Sequence, residues 1–238
     1  MFRQLHSLDR RGVLSLGLIL ASACLLIAGV VGIISTLSSG GANLPTEGNI
    51  ADIVAEATSQ PTPDAPVDGG IPRGPSPVRF LIPGLYIDAP VITETLGEDS
   101  IPQVPGRPDQ VAWYDFSASP GHTSNAVFSG HVDWQTEDGI PIPGVFYRLR
   151  EMKMGDIIEV ALEDGASLEY RVTGNVATPY SDPNVVRVMN ATDRDVITVI
   201  TCGGTWINNG RAANGGNYSH RIIVRAERVL DAVGSVGD

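Results

Sequence analysis

Cys202, His131 and Arg221 are the side chains whose types and settings suit nucleophilic acyl chemistry. A thiol attacks a carbonyl carbon as its thiolate, so it needs a base or a cation close by, and the oxyanion that forms needs a donor. The sequence holds 2 cysteines. Cys24 lies inside an apolar run, which leaves Cys202 as the one thiol of the remaining chain and excludes a disulfide framework there. Cys202 ends the apolar run Thr198-Val199-Ile200-Thr201-Cys202 and is followed by Gly203-Gly204, two residues without side chains that leave the sulfur open to a peptide backbone. The plainer alternative is a small buried hydrophobe, a common use of free cysteine.

The base has few candidates, because the chain has 4 histidines. His6 lies before the apolar run, His122 in a Pro-Gly loop, and His220 just ahead of Arg221. His131 ends a second apolar run, Asn125-Ala126-Val127-Phe128-Ser129-Gly130-His131, beside a glycine as Cys202 is. Arg221 and Arg225 share one face of a run that alternates, with Ile222, Val224 and Ala226 on the other. Asp133 is placed to orient His131, although a solvated turn carboxylate is the cheaper reading. Asp133, Glu137 and Asp138 form a loose acidic cluster, which reads as surface acid in a chain of net charge −11. No zinc spacing is present.

The elements that must position these groups read as β. From Val78 onward the expected strands are Val78–Ile82, Leu85–Thr93, Ala126–Val132, Asp156–Leu162, Ser167–Ala177, Val196–Cys202 and His220–Val229. Glu163-Asp164-Gly165-Ala166 reads as a hairpin turn. Helical periodicity is confined to one or two turns at Val145–Arg150 and Asn184–Met189. Seven or eight short strands in about 155 residues predict an all-β barrel or sandwich.

Ahead of that domain, residues 13–34 carry no charge and are rich in Leu, Ile, Val, Ala and Gly. As a helix they reach about 33 Å, enough for a hydrocarbon core of about 30 Å. Arg3, Arg10 and Arg11 against Asp9 leave residues 1–12 at +2, so the rest of the chain carries −13. The positive-inside rule keeps that basic start in the cytoplasm and sends the remainder out. A cleaved signal peptide has a shorter apolar region, and a lipoprotein site at Cys24 sits ten residues before the run ends. Residues 35–77 are dense in Pro, Gly and Ser and read as a disordered tether, with a short helix around 50–57 as its one candidate element. The expected organisation is a cytoplasmic start over 1–12, a transmembrane helix over 13–34, that tether, a globular domain over 78–232 and a tail over 233–238. The acidic balance argues against nucleic acid, whose phosphates need clustered Lys and Arg.

Three of these segments together resemble the sortase family of cysteine transpeptidases. Thr198-Val199-Ile200-Thr201-Cys202 is similar to the family signature Thr-Leu-x-Thr-Cys, with Val199 in place of leucine. Ser129-Gly130-His131-Val132-Asp133 is similar to its Gly-His segment, and His220-Arg221-Ile222-Ile223-Val224-Arg225-Ala226 to its arginine-bearing last strand. The motifs occur in the family's order behind an anchor and a tether, and the similarity spans residues 78–230. Cys-Gly-Gly and Gly144-Val145-Phe146-Tyr147-Arg148-Leu149 resemble the group called class F, with class E left open.

The resemblance implies a closed sortase-type β-barrel. It implies Cys202 as nucleophile, His131 as acid and base, and Arg221 as the donor that binds the oxyanion or positions substrate, with Arg225 as the alternative arginine. Thr201 corresponds to a threonine that contacts substrate or intermediate, and residues 178–195 to a loop that receives the sorting signal. The implied partners are surface proteins with an LPxTG-like sorting signal and an amine acceptor such as a cell-wall precursor or a pilin lysine. The lipid bilayer is a further partner, through the apolar helix, and the catalytic domain would face outside the cell membrane. No cofactor is implied, although some family members bind Ca²⁺ through loop carboxylates. With unperturbed pKa values the thiolate–imidazolium pair is about 1% of molecules, and a nearby Arg221 would raise that share. The alternatives are hydrolysis, with water in place of the amine, and a tethered non-catalytic β-domain that binds a surface partner. The Ser-His-Gly-Cys run of the L,D-transpeptidase type is absent from the sequence.

Overall fold

Eight strands close into a barrel, and two of the joints in that closure carry the candidate site. The computed structural model describes residues 44–56, 70–98, 100–208 and 216–230, all within one compact unit. The expected cytoplasmic start, the apolar span with Cys24, parts of the tether and the tail over 233–238 lie outside the described residues. Among those described, no helix is long and apolar enough to cross a membrane.

In chain order the strands are β1 (Thr46–Glu47), β2 (Pro77–Ile82), β3 (Ile87–Glu94), β4 (Val111–Tyr114), β5 (Ser124–Ser129), β6 (Asp133–Gln135), β7 (Pro141–Pro143), β8 (Ile157–Leu162), β9 (Ser167–Pro179), β10 (Asp195–Asn208) and β11 (Gly216–Arg228). Two short helices accompany them, α1 (Ile50–Glu56) and α2 (Asn184–Arg187). The sheet runs β9-β11-β10-β5-β4-β3-β2-β8 and closes by the β9–β8 pairing, with β1 added at β9. β6 and β7 form a separate two-stranded hairpin. The turn at residues 163–166 forms as expected, with Gly165 at φ +89° and the Leu162 carbonyl accepting from the Gly165 N–H at 3.0 Å.

Packing has two faces. Inside the barrel, Phe80 lies 5.0 Å from Phe128 and 5.8 Å from Phe146 between ring centroids. Ile197, Val199, Ile222, Val224 and Ala226 fill the same interior. Side chains alternate along a strand, so Ile200 and Ile223 point outward. There they meet Val127, Tyr114 and Val188 beneath Ile53 and Val54 of α1. Each large apolar side chain buried this way contributes about 1.5–3 kcal/mol.

Three expectations change. β4 falls outside the expected strands because all four of its residues are buried, so Val-Ala-Trp-Tyr shows no alternation to read. β10 does not end at Cys202. It continues to Asn208 through an irregularity between Gly203 and Trp206, and pairs with the start of β11. The stretch 35–77 is not a tether throughout. Thr46 and Glu47 pair with Val176 and Asn175, and α1 buries Ile53 and Val54. The Pro72 carbonyl accepts from the Ser119 N–H at 3.0 Å, and the Arg73 Nη1 donates to the Ser117 carbonyl at 3.1 Å. The average composition of this stretch conceals the few apolar residues that cover the sheet's outer face. The helical segments come to about one turn each, a 3₁₀ turn at Leu149–Glu151 and α2 at Asn184–Arg187.

Candidate active site

Strand register assembles the site. β10 and β11 are antiparallel with Cys202 directly opposite Arg221, a pairing that sets Cβ atoms about 4.5–5.5 Å apart. On its other side β10 runs parallel to β5, ending in the pair Ile200–Ser129. The Gly130 N–H donates to the Ile200 carbonyl at 3.4 Å and extends that register. His131 and Cys202 each lie two residues past that last pair, His131 beyond the end of β5 and Cys202 within β10. Thiol and guanidinium thus sit side by side on β10 and β11, and the β5 register leads the imidazole, just past the end of β5, toward the thiol's other side. The thiol and guanidinium lie on the outer face, above Ile200 and Ile223.

Each member is fixed by its own contacts. The Thr201 hydroxyl donates to the Gly130 carbonyl at 2.8 Å. Thr201 is 3% exposed and faces inward, opposite to Cys202. The geometry gives Thr201 a positioning contact; its implied contact with substrate stays a proposal. The His131 carbonyl accepts from the Phe146 N–H at 2.9 Å. A Cβ at Gly144 would lie 2.4 Å from that same carbonyl oxygen, so only glycine permits the approach. The run that begins at Gly144 thus seats His131. Its ring sits edge-on to Trp134, with centroids 4.8 Å apart, and Nε2 lies 2.7 Å from the Pro105 carbonyl. A carbonyl only accepts, so Nε2 carries the proton and the neutral ring keeps Nδ1 as its base.

Arg221 donates through Nη1 to the His220 and Tyr218 carbonyls at 3.0 and 3.3 Å, and through Nη2 to the Asn217 Oδ1 at 3.0 Å. Its guanidinium carbon lies 5.9 Å from the Tyr180 ring centre, which brings the loop after β9 over the arginine. Arg225 takes another path. It is 1% exposed, lies beneath α1, and donates through Nη2 to the Val188 carbonyl at 3.2 Å. Of the two arginines, Arg221 is the one that pairs with Cys202 across β10 and β11.

Burial pushes the Cys202 thiol above its ordinary range; Arg221 pulls it back down and Asp133 adds to the rise. The expected effect of Arg221 is present, but burial outweighs it. Tyr114 and Tyr218 flank the thiol as neutral phenols, both pushed upward chiefly by burial. Tyr114 shares a 2.7 Å hydrogen bond with Ser129. The Tyr218 hydroxyl donates to the Asp133 Oδ2, so Asp133 is not a free turn carboxylate. Tyr114, Ser129, Pro105 and Tyr218 carry no sequence signal of this role, because each acts through where the barrel folds it. Among the described residues, no group of three or more His, Cys, Asp or Glu side chains converges on a metal site.

A closed β-barrel that sets a guanidinium beside a thiol and leads an imidazole toward its other side has the parts of a cysteine-dependent acyl-transfer enzyme. The sortase domain family matches residues 80–229. That is more than half of the chain, and the chain belongs to the sortase family, whose members are cysteine transpeptidases. Similar solved structures include sortase C-1 from Actinomyces oris, 22% identical over 76% of this chain and 99% of that one, with a TM-score of 0.47. Sortase A from Corynebacterium diphtheriae, as a lid mutant, is 20% identical over 77% of this chain and 95% of that one, with a TM-score of 0.46. A sortase D5 transpeptidase from Clostridium perfringens is 19% identical over 68% and 83%, with a TM-score of 0.44. No curated protein matches the chain.

Proposed function

We propose that this chain is a membrane-anchored, outward-facing transpeptidase that cleaves a C-terminal, LPxTG-like sorting signal of surface proteins and joins the product to an amine. The observation that carries this reading is the strand register itself. In support, the Cys202–Arg221 pair sets a guanidinium beside the thiol, and the β5–β10 register leads toward His131 on its other side. In the proposed reaction the Cys202 thiolate attacks the carbonyl of the sorting signal's threonine. Arg221 steadies the oxyanion, and imidazolium at His131 protonates the leaving amine as the C–N bond breaks. The signal remains as a thioester until an acceptor amine displaces the sulfur.

Acceptors of the right chemistry are a cell-wall precursor or a pilin lysine. The apolar residues 13–34 would hold the enzyme in the cell membrane with residues 1–12 in the cytoplasm, and the class F-like runs suggest its subclass. Release of the leaving peptide from a library of LPxTG-like substrates tests the reading. Cys202→Ala should abolish release, whereas Cys24→Ala should not. Appreciable turnover by Cys202→Ala would end the assignment.

A further inference from the structure

Asp133 is the one anionic carboxylate that acts on the Cys202 thiol among the described residues, and its sign is wrong for activating a nucleophile. It lies two residues beyond His131, at the start of β6, and its Oδ2 accepts the Tyr218 hydroxyl. The Tyr218 carbonyl in turn accepts from Arg221 Nη1 at 3.3 Å. Hydrogen bonds thus link Asp133, two residues beyond His131, through Tyr218 to Arg221, the residue opposite Cys202. An asparagine or a backbone carbonyl would accept the phenol equally well and would not oppose the thiolate.

We propose that Asp133 selects the acceptor: its carboxylate, steadied by Tyr218, receives the incoming amine as an ammonium ion and holds it beside the thioester on Cys202. This rests on the transpeptidase reading above and deepens it. Once the thioester has formed, the sulfur is neutral and His131 has given its proton to the leaving amine. Arg221 and Asp133 are then the charges left around the sulfur, and only Asp133 attracts a cation. A carboxylate offers about four acceptor positions, of which the phenol takes one. The Trp206 and Tyr218 rings, edge to face at 5.3 Å, stand on the same side.

The step balances as follows. The ammonium gives one proton to His131 Nδ1, and the freed nitrogen lone pair bonds to the thioester carbon. The C–S bond breaks and its electrons return to Cys202 as thiolate. The second proton leaves the nitrogen for solvent as the amide forms, matching the proton that the departed amine takes up.

The experiment offers one thioester two nucleophiles at once: glycinamide, mostly cationic near neutral pH, and hydroxylamine, which is neutral there. The readout is the ratio of amide to hydroxamate product, which does not depend on how fast the thioester forms. Asp133→Asn should lower that ratio about fivefold, the range of a partly exposed ion pair. Tyr218→Phe, which keeps the charge and loses the brace, should lower the ratio less than Asp133→Asn does; an equal or larger fall would assign the effect to the phenol and overturn the role of the carboxylate. In the unaltered protein, rising ionic strength should lower the same ratio, so the inference stays testable if Asp133→Asn fails to fold. A ratio indifferent to both the substitution and salt overturns the acceptor role alone. Absence of any thioester in the unaltered protein removes the transpeptidase reading, and the acceptor role with it.

Discussion

The hydroxyl of Thr201 donates to the carbonyl of Gly130 at 2.8 Å, across the parallel pair of β10 and β5. It ties together the two residues that immediately precede Cys202 and His131. Thr201→Val keeps the shape and removes the donor, leaving a half-buried carbonyl unmatched at a penalty of about 1 kcal/mol. The expected outcome is a lower melting temperature and a fall in kcat, with KM for the peptide changed less. Thr201→Ser should recover both. Equal activity in Thr201→Val and Thr201→Ser would show that the hydroxyl does not position His131.

The pairing of Cys202 with Arg221 has a pH signature. Burial holds the thiol above its ordinary range while Arg221 pulls it down, so thiolate should appear only as pH passes that raised value. In a Cys24→Ala background, carbamidomethylation of Cys202 should rise with pH to a midpoint above about 8.5. Arg221→Met removes the downward pull, so its midpoint should move higher still. Arg225→Met should leave the midpoint in place, and should impair peptide cleavage less than Arg221→Met. A midpoint that falls in Arg221→Met would mean that the guanidinium does not face the sulfur.

How far the sequence discloses this site depends on whether a residue acts through its type or through its neighbours. Cys202, His131 and Arg221 are legible because a thiol, an imidazole and a cation at apolar strand ends are few. Alternation likewise separates Ile222, Val224 and Ala226 from Arg221, Ile223 and Arg225, and the two buried faces follow that division. β4 is hidden because burial on both faces erases its period. Tyr218 is hidden because its partner Asp133 lies on a distant strand, and no spacing predicts a contact that only closure creates. Arg225 is misleading in isolation: alternation places it beside Arg221, but α1 covers it. That cover is itself obscured by the Pro- and Gly-rich composition around α1.

Gly144 offers a direct test of how closely the chain must pass beneath His131. A methyl group there would lie 2.4 Å from the His131 carbonyl oxygen, whereas one at Gly106 would meet nothing within 4 Å. Gly144→Ala should therefore destabilise the protein by about 1–3 kcal/mol, as overpacking does, and should displace His131 from the thiol. Thermal unfolding and peptide cleavage should both decline, and Cys202 labelling should lose its dependence on His131. Gly106→Ala should leave the melting temperature nearly unchanged. If the two variants behave alike, the close approach does not hold His131 in place.

The guanidinium of Arg225 is pushed down to about 10 by burial, partly offset by Glu56. Its Nε lies 3.8 Å from the Glu56 Oε2, and Nε, Nη1 and that oxygen make no hydrogen bond within the protein. Folding lowers this pKa, so the unfolded chain holds the proton more tightly and stability rises with pH only above about 10. At neutral pH both states are charged and the burial penalty is present in full. Glu56→Gln then strips the buried cation of its counter-charge and should destabilise the domain by about 1–3 kcal/mol. In an Arg225→Met background the same substitution loses only the half-exposed contact of Glu56 with Arg194 at 2.9 Å, about 0.5 kcal/mol. Chemical denaturation of the four proteins closes the cycle. A coupling near zero would show that α1 is held by Ile53 and Val54 alone, and that the buried arginine does not respond to Glu56.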